Sequence, residues 1–366
     1  MKIALLGEYS NVHHTLSLGL KELGHETLVV SDGDGWKNYP RDISLIRKSH
    51  SLADSIMYYI HTAKTISEIK GFDVVQLINP MFLLLKAERI YSFYKKLRKN
   101  NGKIFLGAFG MDKYWVKAGM DCKTFRYSDF NLGSEIRKNP LNTIYCNDWL
   151  WGSKGKLNDY IAKDCDGIIS GLYEYDASYR PYFNNKLKFI PFPIDTTKQQ
   201  AKIRKVIDGK IKFFIGIQKQ RNAYKGTDIM LNALKRIKQD YPDRCEITIA
   251  ESMPFKQYVE TLDNSHVILD QLYSYTPAMN ALQAMWQGLV VVGGGEEENY
   301  TILGEKELRP IINVLPNEQD VYLKLENIIN KPEQIEILSK QGIEYINRYH
   351  NKTDVAQQYV EFYNNN

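Results

Sequence analysis

Long apolar runs are absent from this 366-residue chain. A bilayer-spanning helix needs about 18 to 20 consecutive apolar residues, so no segment is expected to cross a membrane. The opening MKIALLGEYS has only a short apolar run before Gly7, too little for a signal-peptide core and shaped like a buried strand. A cytoplasmic location is expected. Cysteine is scarce: Cys122, Cys146, Cys165 and Cys245 lie far apart with no Cys-x-x-Cys pair. That spacing argues against a disulfide framework and against a zinc knuckle, and leaves buried free thiols as the expectation. Neither sign of charge dominates, since 48 basic residues face 43 acidic ones for a net +5, and nothing in that balance points to a nucleic-acid partner. The Gly-x-x-x-x-Gly-Lys-Ser/Thr spacing of a phosphate-binding P-loop is missing as well.

What is present is an ordinary globular composition, 43% apolar and 25% charged, in a length that suits two domains at roughly 150 residues each. Residues 2–6 (KIALL), an amphipathic stretch over 14–23 closed by Gly24, and residues 28–30 read as strand, helix and strand. Short apolar runs at 74–78 (VVQLI), 104–108 (IFLGA) and 167–170 (GIIS) continue the theme between helical patterns. Such alternation means a parallel sheet covered on both faces. The segment KFIPFPID at 188–195 and the polar, basic stretch at 196–212 mark a boundary. The pattern then restarts with 211–217 (IKFFIGI), a helix over 227–238, 245–250 (CEITIA), 267–269, a helix after Thr276 and 289–292 (LVVV). Residues 332–363 read as helical in two pieces, broken near His350 and Asn351. The expectation is an α/β protein of two Rossmann-like, doubly wound domains facing each other across a cleft. They span 1–195 and 196–345, with a closing segment at 346–366.

Ligands of such sheets bind beyond the carboxyl ends of the strands, which directs attention to four loops. Residues 216–226 (GIQKQRNAYKG) carry Lys219, Arg221 and Lys225. Arg grips a phosphate through two parallel donors and Lys adds a mobile point charge, so the pair suits a diphosphate; a solvated basic loop is the bland alternative. At 273–288 (YSYTPAMNALQAMWQG), Thr276 reads as an N-cap, Pro277 as the first helical residue and Gly288 as the terminator. The N–H groups of that helix start could hold a phosphate, while Ala281, Leu282, Ala284 and Met285 read as core. In 293–298 (GGGEEE) glycines such as Gly294 let the backbone approach a ligand, and Glu296 and Glu297 could accept from sugar hydroxyls or form an exposed acidic turn. The loop after the first strand offers Gly7 and the adjacent His13 and His14, of which His14 is the candidate. Asp112, in FGMDKYW, is a further one, against local capping.

With that order in place, the chain resembles retaining glycosyltransferases of the GT-B fold, in particular the nucleotide-sugar-dependent family four. The similar features are KGTD at 225–228 opening a helix, ALQAMWQGLVVV at 281–292 before the glycine turn, HNKTDVAQQYVEFY at 350–363, the opening LLGEYSNVHHTLSLGLKELGHE, and KFIPFPID at the interdomain passage. The resemblance implies an acceptor-side N-terminal domain, a nucleotide-sugar C-terminal domain and a last helix crossing back to the first. It implies Arg221 and Lys225 on the donor diphosphate, stabilising the leaving group, with backbone donors added by the helix start at Thr276, with Tyr275 and Gln283 at the donor sugar and ribose, and with Asp112 in the sugar-contacting turn. Three positions depart from the family pattern: Phe109 stands for a histidine, and Tyr275 and Gln283 for glutamates.

The implied activity moves a hexose from a UDP- or GDP-linked donor to a glycan or lipid-linked acceptor with retention, in surface polysaccharide synthesis. The departing phosphate takes the acceptor proton, and no cofactor or divalent metal is required. The three departures motivate an alternative, a non-catalytic GT-B protein that binds a nucleotide or glycan. An epimerase or phosphorylase on the same architecture is disfavoured, because no cofactor-lysine motif or dedicated acid pair is apparent. Finally, residues 82–103 place seven cations against the single acid Glu88. With Leu83, Ile90, Phe93 and Leu97 on its apolar side, this stretch either packs on the sheet, the preferred reading, or contacts an anionic membrane peripherally.

Overall fold

Short, mostly apolar runs become the central strands. The computed structural model describes residues 1–49, 51–198, 200–218, 221–251 and 260–366, in two units. The first comprises Met1–Thr124, Asn142–Pro193 and Lys352–Asn366, and the second Phe125–Leu141 and Ile194–Asn351. In the first, β1 (Lys2–Leu6), β2 (Glu26–Ser31), β3 (Ile43–Ser44), β4 (Val74–Leu77), β5 (Lys103–Ala108), β8 (Gly167–Ser170) and β9 (Leu187–Phe189) form one parallel sheet. Its order is β3-β2-β1-β4-β5-β8-β9, reversing direction between β1 and β4. The short antiparallel pair β6 (Asn131–Leu132) and β7 (Glu135–Ile136) belongs to the second unit.

The helix Val12–Glu22 packs beside the closing helix Lys352–Asn365, so close at Gly19 that a Cβ there would lie 2.2 Å from the Lys352 carbonyl oxygen. The chain's last helix thus completes the first unit. The helix Ala87–Asn100 buries Ile90, Phe93, Tyr94 and Leu97, so its apolar side is spent on the core and its lysines stay in water.

In the second unit β10 (Ile211–Ile217), β11 (Cys245–Glu251), β12 (Val267–Leu269), β13 (Val290–Gly293) and β14 (Ile311–Asn313) pair in the order β11-β10-β12-β13-β14, parallel throughout. This is a second Rossmann-like arrangement, reversing between β10 and β12. Phe213, Ile215, Val267, Leu269, Val290 and Val292 fill its core with Met230 and Leu234 of the helix Thr227–Asp240.

Several expectations need revision. The helix expected from Thr276 is Met279–Trp286, because Ala278 is extended (φ −84°, ψ 178°); Thr276 is therefore not its cap, nor Pro277 its first residue. Its Ala281, Leu282, Ala284 and Met285 are buried as expected. Cys146, Cys165 and Cys245 are buried free thiols, but Cys122 is only half-buried. The chain passes between units at 193/194 and 351/352, beside the boundaries read at 195/196 and 345/346, and Phe125–Leu141 joins the second unit where the sequence reading kept it in the first. The closing helices, Gln334–Tyr349 and Lys352–Asn365, break at His350 and Asn351. Among the described residues no helix is long and apolar enough to cross a membrane.

Candidate functional site

In the second unit the strand order reverses between β10 and β12, so the loops that leave these two strands frame the crevice where such sheets take ligands. The loop after β10 carries Arg221, exposed, its guanidinium 5.3 Å from the Tyr224 ring centre. Lys225 ends the short helix Asn222–Lys225, and its carbonyl accepts the Leu272 N–H at 3.1 Å, tying the loop after β10 to the loop after β12. Gly226 (φ +75°) then turns the chain into Thr227–Asp240; a Cβ there would sit 2.7 Å from the side chains of Leu272 and Tyr273. At the end of β12, burial raises the pKa of the Asp270 carboxyl while the Lys225 charge lowers it, and the Asn280 amide donates to it at 3.2 Å. One cation of the loop after β10, Lys225, thus borders a carboxyl from its neighbour. Lys219 lies outside the described residues.

The loop after β13 closes the same edge. Gly294 lies against the loop after β12, where a Cβ would be 2.4 Å from the Ser274 carbonyl oxygen. The acidic run is not a free turn. Glu296 accepts from the Tyr127 hydroxyl at 2.6 Å, from Arg126 at 2.9 Å and from the Asn313 amide at 2.9 Å. Glu298 also pairs with Arg126, and Glu297 with Arg309 at 3.1 Å. Glu297 and Glu298 open the helix Glu297–Leu303, where negative charge suits the positive end of the dipole. Tyr275 is buried; its hydroxyl accepts the Arg126 N–H at 2.7 Å, and its ring lies 4.9 Å from that of Tyr127. Thr276 is buried and Gln283 half-buried on Met279–Trp286. Arg221, Lys225, Tyr275, Thr276, Gln283, Gly294, Glu296 and Glu297 are therefore all carried by the second unit.

Gly7 and Asp112 belong to the first unit, on the loops leaving β1 and β5, and His14 lies there in the helix Val12–Glu22. Gly7 (φ +83°) abuts Ile78, whose Cγ2 would be 2.3 Å from a Cβ. Asp112 is fully buried and caps the helix Lys113–Met120, accepting from the Trp115 N–H at 2.9 Å and the Tyr179 hydroxyl at 2.8 Å. Burial raises it to about 7. Both its oxygens are occupied within the unit, which is the capping role weighed against the catalytic one. His14 is half-buried, and its N–H reaches Glu8, a residue the sequence reading passed over. The Glu8 carboxyl, 2% exposed, accepts the N–H groups of His13 and His14 at 3.2 and 2.9 Å.

Burial pushes Glu8 up to about 8 from 4.5, against the pull of those N–H groups. Below about pH 4.5 folded and unfolded chains both hold the proton; between 4.5 and 8 only the folded chain keeps it, so stability is lost as pH climbs through that window. At about 1.4 kcal/mol per pKa unit, the wild type should unfold less readily at pH 6 than at pH 8 by about 2 kcal/mol. Denaturant melts of Glu8→Gln should show a flatter profile, with a remnant slope from Asp112. An unchanged profile would remove Glu8 as its source.

Two Asp-x-Asp spacings occur in the first unit, but Asp164 and Asp166 flank the Arg98 guanidinium, and Asp34 takes Lys37 at 2.6 Å and the Ser10 N–H at 2.9 Å. Among the described residues no group of three or more His, Cys, Asp or Glu side chains could hold a metal ion.

Asp270 directly follows β12 and Glu8 lies two residues past β1, and the rule that drew attention to Gly7 and Arg221 would have found both. Arg126, Asp129 and Arg137 of the second unit carry no comparable local signal.

No protein-family model matches the chain, and no curated protein matches it. Solved structures do. Sucrose-phosphate synthase from Thermosynechococcus elongatus is similar over 100% of this chain and 98% of its own, with TM-score 0.63 and 13% identity. HepE of Anabaena, in complex with UDP and glucose, is similar over 99% and 98%, with TM-score 0.60 and 11% identity. UDP-GlcNAc 2-epimerase from Neisseria meningitidis bound to UDP-GlcNAc is similar over 100% of both chains, with TM-score 0.54 and 12% identity. At such identities the likeness is one of fold, and the two Rossmann-like units are those of the GT-B class.

Proposed function

We propose that the chain is a glycosyltransferase that moves a hexose from a UDP- or GDP-linked donor to a glycan or lipid-linked acceptor with retention, in surface polysaccharide synthesis. One observation carries the reading: Arg221 and Lys225 stand on the loop that leaves β10 at the switch point of the second unit's sheet, where Lys225 is held to the loop leaving β12. Breaking a sugar–phosphate bond gathers negative charge on the departing diphosphate. Fixed cations aimed there lower the barrier without having to reorganise. In this reading the leaving phosphate takes the acceptor proton, Tyr275, Thr276, Gln283 and Gly294 line the donor, and no divalent metal is needed. The fold likeness to proteins solved with UDP, glucose or UDP-GlcNAc supports a nucleotide-sugar ligand. The test is a screen of nucleotide sugars for released nucleoside diphosphate, and no release from any donor with any acceptor would defeat it.

A second reading, a non-catalytic GT-B protein that binds nucleotide or glycan, draws on the occupied state of Glu296 and Glu298 and on the burial of Tyr275. Binding without turnover would favour it.

The proposal includes a peripheral contact of the first unit with an anionic membrane. Leu83, Ile90, Phe93 and Leu97 of 82–103 are buried, yet the neighbouring helix Leu52–Glu68 exposes Leu52 (79%), Ile56, Met57 (64%) and Ile60. Tyr59 of that helix lies against Phe93 and under Arg89, and Lys96 donates to Ser67 of the same helix, so this apolar helix adjoins the exposed cations Arg89 and Lys96. An apolar stripe beside a cationic one suits an anionic bilayer surface, where each basic residue adds about 1 kcal/mol. Vesicles containing phosphatidylglycerol should sediment the protein at low salt and release it at high salt. Ile56→Glu with Ile60→Glu should abolish sedimentation, and no binding of the wild type at low salt removes the contact.

A further inference from the structure

The excursion Phe125–Leu141 lies across every loop that frames the second unit's site. Toward the loop after β10, the Arg137 guanidinium donates to the carbonyls of Ala223 at 2.6 Å and Tyr224 at 3.1 Å. Toward the loop after β12, the same group stacks 3.3 Å from the Tyr273 ring centre, and Arg126 lies over Tyr275 at 4.8 Å. Toward the loop after β13, Arg126 and Tyr127 hold Glu296 and Glu298. The excursion is stiffened from within: the buried Asn131 amide donates to the carbonyls of Phe125 at 2.8 Å and Gly133 at 3.0 Å, and its oxygen accepts the Ser128 hydroxyl at 2.6 Å. At its centre sits Asp129, whose backbone carbonyl accepts from the Arg137 guanidinium at 2.8 Å; burial raises its carboxyl, while the Tyr224 hydroxyl that donates to it and the charges of Arg221, Arg137 and Lys225 pull it down. Two of these three are the cations assigned to a donor diphosphate, and one excursion thus brings a carboxyl to them while it roofs the loops around them.

We propose that the strap 125–141 is a donor gate: the Asp129 carboxylate holds the place of a phosphate among Arg221, Lys225 and Arg137, and a nucleoside diphosphate enters by displacing it. The proposal rests on the reading of Arg221 and Lys225 as the diphosphate site and adds Asp129 as the residue that sets how readily that site admits an anion. A group that must be displaced lowers the apparent affinity by the fraction of time the site stands open. Removing its charge raises that affinity.

The test is calorimetric titration of the full chain with UDP and with GDP. Asp129→Asn, shown folded by its melting curve, should bind the preferred nucleotide about tenfold more tightly than the wild type, and Arg221→Ala more weakly. Amide hydrogen exchange over 126–131 should quicken when the nucleotide is added to the wild type. Should Asp129→Asn bind equally or less tightly while Arg221→Ala loses binding, or should those amides become protected, the strap is a fixed wall of the site. The gate is then overturned and the donor reading stands. Absence of UDP and GDP binding by the wild type and by Asp129→Asn alike would overturn both.

Discussion

Arg221→Ala and Lys225→Ala are each expected to cut nucleotide-sugar turnover by about 100-fold, the scale of losing one fixed group that stabilises charge in a transition state. Their charges matter most when the sugar–phosphate bond is breaking, so the loss should fall chiefly on kcat and less on the donor KM. Neither side chain belongs to the buried core, so melting curves should stay close to the wild type and separate lost chemistry from lost fold. Arg221→Lys should restore only part of the rate, because an ammonium cannot offer the two parallel donors of a guanidinium. The measurement is release of nucleoside diphosphate from the best donor of the screen. Wild-type rates in both alanine variants would detach these residues from the chemistry, and with them the proposed site.

The second large effect is on stability. Gly19→Val should destabilise the first unit by about 3 kcal/mol, the upper range for overfilling a packed contact, and lower its melting temperature by about 10 °C. The obstacle is backbone: the Lys352 carbonyl oxygen would lie 2.2 Å and its carbon 2.8 Å from the new Cβ, with the Ala356 Cβ at 2.9 Å. A flexible side chain could swing aside, but a carbonyl inside a helix start cannot move without shifting the whole helix Lys352–Asn365. That shift would loosen Tyr363, whose hydroxyl donates to Gln76 at 2.5 Å inside the sheet, and the Phe105 ring 4.7 Å from it. A Gly19→Val melting curve that overlays the wild type would show that the helix is not seated as described.

The central strands were legible because each is a short, mostly apolar run buried on both faces, so composition and burial say the same thing. Residues 167–170, 211–217 and 267–269 are strands over the spans read from sequence. The helix after Thr276 was misplaced because a cap residue followed by proline is a local rule, and the chain there stays extended through Ala278. Glu296 and Glu298 were harder still. Their partners Arg126 and Tyr127 are about 170 residues away in sequence, and an ion pair between distant segments leaves no period, cap or turn signature in either. The same holds for Asp129 and Arg137, which lie in a polar stretch that reads as a plain loop. What local rules supplied was the address of the site, through the loops that follow strands; what covers it depends on contacts that only the folded chain brings together.

The first unit is assembled from three pieces, and the last of them, 352–366, follows the entire second unit in sequence. During synthesis the ribosome must therefore deliver all of the second unit before the first can receive its final helix, and until then Gly19, Gln76 and Phe105 lack the partners that cover them. Vectorial folding can finish the second unit early but holds the first open to the end. A nascent chain arrested at residue 351 should consequently expose apolar surface to chaperones on the unit that was translated first.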